Sequence, residues 1–198
     1  VDRHTYITYQ PTGLSRREVV RVCGDITTCG TPDEIRTEYE YWGNTFLPAV
    51  ERRIDAANNA TLETRYTYDN AGRLLIWEIG PAESTGVRLA RKFEYRPSDD
   101  KLISVEEGSV TSPTDPSLMV FRQIDHEYDS RRNPVRETVS AAGTDHTVVQ
   151  RTFDTRGRLE CEARRMNPAA FVSLPASACT LGTEGSFGLD RITRAAVR

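Results

Sequence analysis

Polar and apolar residues alternate along this chain in short runs, each run ending at a cluster of turn formers. In Thr64-Arg65-Tyr66-Thr67-Tyr68, a period of two places Tyr66 and Tyr68 on one face of a strand and Arg65 and Thr67 on the other. Tyr39/Tyr41 and Phe93/Tyr95 share that spacing. The turn Asp69-Asn70-Ala71-Gly72 follows, in which Gly72 supplies the positive φ of a tight hairpin. A second strand, Arg73-Leu74-Leu75-Ile76-Trp77-Glu78-Ile79, leaves it, with counterparts at Lys101-Leu102-Ile103-Ser104-Val105 and Arg158-Leu159-Glu160-Cys161-Glu162. Each such unit reads as a β-hairpin.

The unit recurs. An aromatic followed four residues later by a turn former appears as Tyr9 to Gly13, Tyr41 to Thr45, Tyr68 to Gly72, Tyr95 to Asp99, Tyr128 to Arg132 and Phe153 to Gly157. Spacings between anchors stay within 25–33 residues, the signature of a repeat architecture. The pattern predicts an all-β chain of about six antiparallel hairpins, with residues 1–198 as a single domain. Little helix is expected, with a short turn at most in residues 167–178. Tyr9, Tyr41, Tyr66, Tyr68, Phe93, Tyr95, Tyr128 and Phe153 are the expected repeat core, stacked on one sheet face. Gly13, Asp69, Gly72, Asp129, Asp154 and Gly157 are the expected turn residues. Longer repeats place their extra residues between hairpins, in loops at 80–86 and 108–117.

Charge narrows the function. With 26 basic and 29 acidic residues, the chain lacks the basic surplus of a general nucleic-acid binder. Its basic residues are 24 Arg and two Lys, Lys92 and Lys101, and Arg suits bidentate pairing with carboxylates across strands. Arg73 and Arg158, each just past a turn Gly, are expected to pair with carboxylates on a neighbouring strand. No apolar stretch approaches the roughly 20 residues that span a bilayer. Residues 1–10 lack the features of a signal peptide, so the start reads as mature or as cut from something longer.

Cys23 and Cys29 form one local pair, Cys161 and Cys179 another. Neither gap matches a zinc knuckle, and His4, His126 and His146 lie elsewhere in sequence. Two local disulfides are favoured over a metal site, which points to an exported protein, secreted or at the cell surface.

The stretch from Arg65 to Leu74, Arg-Tyr-Thr-Tyr-Asp-Asn-Ala-Gly-Arg-Leu, resembles the tyrosine-aspartate (YD) repeat. Thr152-Phe153-Asp154-Thr155-Arg156-Gly157-Arg158-Leu159 is a second good copy, with Phe in the Tyr place. Tyr128-Asp129 keeps the pair without the turn Gly, while Tyr9, Tyr41 and Tyr95 are degenerate copies lacking the Asp. The chain is thereby similar to bacterial rearrangement-hotspot (RHS) proteins, related to toxin-complex shell components and teneurins. The resemblance implies hairpins joined edge to edge into one curved or spiralling sheet, shell- or tube-like, which in toxin-bearing members encloses an effector. The core motif that ends such shells is missing, since Asp115-Pro116 is followed by Ser117.

No cluster of nucleophile and base, phosphate loop or metal-ligand spacing emerges from the remaining residues. The expectation is a non-enzymatic structural scaffold without cofactor or metal. Its partners would be further repeats or other copies of itself, meeting at open sheet edges near residues 6–9 and 191–197. The alternative is a carbohydrate- or partner-binding module using the outer sheet face. Trp42 and Trp77 offer stacking surfaces for it, although Trp77 lies among Leu75, Ile76 and Ile79 and reads as packed. A line of solvent-facing aromatics would favour binding, and buried rows a scaffold. Asn59-Ala60-Thr61 has the form of a glycosylation sequon and is uninformative beside the resemblance to bacterial proteins.

Overall fold

The computed structural model describes residues 3–23, 29, 34–55, 57–82, 86–113 and 117–195. Asp115-Pro116 and the last residues of the C-terminal edge, 196–198, lie outside them. Among the described residues, thirteen strands follow one another in chain order as a single open antiparallel sheet. They are β1 (His4–Tyr9), β2 (Arg17–Cys23), β3 (Ile35–Tyr41), β4 (Pro48–Ile54), β5 (Ala60–Tyr68), β6 (Leu74–Gly80) and β7 (Arg88–Tyr95). Then come β8 (Leu102–Val110), β9 (Met119–Tyr128), β10 (Pro134–Ala141), β11 (Thr144–Phe153), β12 (Leu159–Arg165) and β13 (Arg191–Arg194). The described helix is one 3-10 turn at Pro168–Ala170, where the Asn167 side chain accepts the Ala169 N–H.

The six aromatic anchors have a common place. Tyr9, Tyr41, Tyr68, Tyr95, Tyr128 and Phe153 are the last residues of β1, β3, β5, β7, β9 and β11. In five of these hairpins the register slips by one residue opposite the anchor. The extra residue stands on the returning strand and is Glu18, Ala49, Leu75, Val135 or Glu160. Such a bulge bends its strand and increases local twist, and the alternation pattern alone does not reveal it.

The chain forms two compact units, Val1–Lys92 with Gly108–Met119, and Phe93–Glu107 with Val120–Arg198. In the first unit, register assigns the two faces. Tyr39 lies opposite Glu51, and Tyr66 opposite Trp77, which in turn opposes Arg91. The other face carries Glu38, Arg52 and Glu63 in one row, and Val50, Arg65, Glu78 and Ala90 in the next. Val50, Ile54, Glu63, Glu78, Arg88 and Ala90 are buried on it. Tyr41, Tyr66 and Tyr68 are only half-buried. The fully buried side chains of this unit lie on the ionic face, opposite the expected aromatic core. Tyr9 departs furthest from a core role, at 51% exposed, because it ends an edge strand with one neighbour.

In the second unit, Phe93, Tyr95, Tyr128 and Phe153 are also half-buried. The core there is Cys161, Ala163 and Ala178, with Cys179 and Ile192 packed against it. Residues 166–190 form a long excursion between β12 and β13. Phe171 from that excursion is buried against the sheet.

Candidate functional site

The recurring chemical unit is the hairpin turn. Asp69 Oδ1 accepts the N–H groups of Ala71 and Arg73, both at 2.9 Å, and its Oδ2 accepts Arg73 Nε at 2.6 Å. The main chain closes the same turn, Asp69 N–H donating to the Arg73 carbonyl and Gly72 N–H to the Asp69 carbonyl. Asp129 repeats this with Arg131, Asn133 and the Asn133 side chain. Asp154 repeats it with Arg156, Arg158 and the Arg158 side chain. The aspartates therefore satisfy turn amides. Arg73 and Arg158 each meet the Asp of their own hairpin, which for Arg158 replaces the expected partner on a neighbouring strand. Local closure wins because the Asp lies four residues away, across a turn already formed.

A positive φ marks each turn, at Gly13 (81°), Gly72 (82°) and Gly157 (77°). Arg132 takes the Gly place after Tyr128 with φ 69°. After Tyr41 and Tyr95 the positive φ falls on Gly43 and Asp100 rather than on Thr45 and Asp99. A Cβ at Gly157 would meet only Asn133 Oδ1 at 3.6 Å, so substitution there tests conformation alone. Gly157→Ala is expected to cost about 1–2 kcal/mol, and Arg132→Gly to gain up to about 1 kcal/mol, by urea denaturation. The same sign for both would overturn this account of the turn.

Each of Asp69, Asp129 and Asp154 is held below the usual carboxylate range. The Arg73 backbone N–H does most at Asp69, the Asn133 side chain at Asp129 and the Arg158 backbone N–H at Asp154. Asp99 is drawn to about 2, first by the Arg96 side chain, which grips it at 2.7 and 2.6 Å. A carboxylate with a lowered folded pKa adds stability above its unfolded value of about 3.9 and loses it as pH falls through the folded one. The melting temperature should therefore hold from neutrality to about pH 5 and drop between about pH 4 and 2. A Tm that is flat down to pH 2 would contradict it.

The anchor hydroxyls tie hairpin to hairpin. Tyr41 donates to the Arg17 carbonyl, Tyr68 to the Pro48 carbonyl and Tyr128 to the Leu102 carbonyl, each at 2.8 Å. Those acceptors are the first residues of β2, β4 and β8. Phe153 lacks the hydroxyl. Trp42 packs against Tyr68 with the rings tilted, centroids 5.7 Å apart. The Arg91 guanidinium lies over half-buried Trp77.

Both cysteine pairs are bonded, Cys23 to Cys29 and Cys161 to Cys179. Such bonds fit an oxidising environment. Glu34 lies near the first pair, but both sulfurs are spent on each other. No helix among the described residues is long and apolar enough to cross a membrane. His126 faces Glu137 at 4.0 Å.

Two ionic clusters escaped the pattern. In the first unit, Arg88 is 1% exposed. It donates to the carbonyls of Pro81 and Glu63 and lies 3.5 Å from the carboxylates of Glu63 and Glu78. Glu63 also accepts Arg52 and Arg65. In the second unit, buried Arg165 pairs with Asp190 at 2.6 Å and reaches the carbonyls of Thr180 and Ser177. Burial pushes the Asp190 carboxyl up, and hydrogen bonds from Arg165, Met166 and Gly182 outweigh it and hold the group low. The residue-type signal for these clusters was the excess of Arg over Lys.

A basin of about 400 Å³ lies on the first unit, lined in part by Tyr9, Tyr39, Tyr41, Phe46, Arg17 and Glu51. Tyr9 and Phe46 are exposed, and Arg16 is fixed over the Tyr41 ring at 4.8 Å.

No protein-family model matches the chain, and no curated protein matches it. Among solved structures it is similar to the crystal structure of TcdB2-TccC3 without its hypervariable C-terminal region. The identity is 16% and the TM-score 0.40, over 82% of this chain and 9% of that one. The chain thus spans about a tenth of that protein's length.

Proposed function

We propose that this chain is a non-enzymatic structural scaffold from an exported bacterial protein of the RHS type. The observation that carries the reading is the recurrence of one turn, with an Asp gripping the same three donors at Asp69, Asp129 and Asp154. The anchor hydroxyls of Tyr41, Tyr68 and Tyr128 repeat just as regularly. Polar groups committed to turns and stitches serve rigidity. The two disulfides support export.

Self-assembly would use β1 and β13, the edge strands of the sheet. An edge strand presents unpaired N–H and C=O groups to a further strand. Pairing of β1 with β13 of another copy is head-to-tail and closes into a ring or grows into a filament. Sedimentation velocity at micromolar concentration should show species above one chain. A single 22.3 kDa species would overturn self-assembly.

The exposed aromatics of the first unit's basin favour a second reading, glycan binding by stacking on Tyr9 and Phe46. An oligosaccharide array followed by titration of Phe46→Ala tests it. Binding unaffected by the substitution would remove the basin from consideration.

A further inference from the structure

We infer that the second unit carries an anion site for an organic carboxylate with an apolar body, at a cavity that Arg164 and Arg191 line together. The cavity measures about 240 Å³, and His146, Met166, Phe171 and Phe187 also line it. Arg164 and Arg191 are register partners on β12 and β13.

Several arginines elsewhere in the sheet have a carboxylate close by. Arg52 has Glu40 and Glu63, Arg122 has Glu107, Arg136 has Glu127 and Arg151 has Glu162. The side chains of Arg164, Arg191 and His146 are exposed, and among the described residues no hydrogen bond or ion pair holds them. The neighbouring carboxylate, Asp190, is taken by Arg165, Met166 and Gly182. Like charges directly opposite each other on a sheet are destabilising. The fold keeps such a pair beside a cavity, where two guanidiniums offer forked donors to one carboxylate.

The rest of the lining selects the ligand's body. Phe187 is 68% exposed, and Met166 and Phe171 add apolar wall. A bare hydrated anion gains nothing from that surface, whereas an aromatic or aliphatic acid covers it. This proposal is independent of the scaffold reading.

The test is amide-resolved NMR titration of the full chain at low salt, with phenylacetate as probe. Saturable shifts are expected around the start of β11, the end of β12 and residues 166–191. Arg191→Gln should weaken binding about tenfold or more, as expected for losing a charged hydrogen bond. Uncharged 2-phenylethanol and inorganic phosphate should bind far less well. Arg191→Gln should also raise the melting temperature of the free protein, because repulsion is relieved. A merely structural arginine would lower it. Unchanged affinity in the variant, equal binding of phenylethanol or phosphate, or a lowered melting temperature would each overturn the site.

Discussion

Arg88→Met should cost about 3–5 kcal/mol of folding stability, because it breaks a buried ionic cluster by removing one of its cations. Methionine keeps much of the volume, so a cavity contributes little. The loss falls on Glu63 and Glu78, 2% and 3% exposed. Glu63 retains Arg52 at 2.8 Å and Arg65 at 2.5 Å, which sets the cost below that of a wholly orphaned charge. Two carbonyls, of Pro81 and Glu63, also lose a donor. Gly80 is part of the same arrangement, since a Cβ there would lie 2.7 Å from Arg88 Cγ. Chemical denaturation checks the cost. Combining Arg88→Met with Glu78→Leu should recover part of the loss, because a buried ion pair replaced whole by apolar residues is often neutral or stabilising. A loss under about 1 kcal/mol in the single variant would sink the argument.

Strand β7 shows why that cluster was hidden. Arg-Leu-Ala-Arg-Lys-Phe-Glu-Tyr reads most simply with Leu89 inside and Arg88 outside. In the fold Leu89 is 56% exposed and Arg88 is 1% exposed. Binary patterning assigns charge to solvent, and it fails where three strands bring opposite charges into register. Cross-strand identity would have been needed, with Ala90 known to oppose Glu78 and Arg52 to oppose Glu63. The hairpins were legible for the opposite reason. Their Asp, Gly and anchor Tyr lie within five residues of one another, so local chemistry fixes each turn without knowledge of its neighbours. The bulge opposite five of the anchors was not legible, because an extra residue such as Leu75 changes no composition. The Arg165–Asp190 pair joins residues far apart in sequence across an excursion with no periodicity. Only the spacing of Cys161 and Cys179 hinted that this segment folds back.

That excursion supplies the second large effect. Cys161→Ala with Cys179→Ala should destabilise the protein by about 2–4 kcal/mol, within the range for removing a native cross-link. The bond joins residues 18 apart, and in the chain-entropy account a loop of this size contributes about 3 kcal/mol by restricting the unfolded chain. Cys161 is buried beside Ala163, Ala178 and Ile192, so alanine adds a small packing loss without burying a hydroxyl. The excursion itself should stay docked. Arg165 still grips Asp190 and the carbonyls of Thr180 and Ser177, Gln150 still donates to the Pro175 carbonyl, and Phe171 remains buried. The two effects separate experimentally. Denaturation should show the loss of global stability, while limited proteolysis at native conditions should leave residues 172–189 uncut. Rapid cleavage there would mean that the disulfide alone holds the segment. A global loss under about 0.5 kcal/mol would mean that the Arg165 cluster already orders the segment in the unfolded chain.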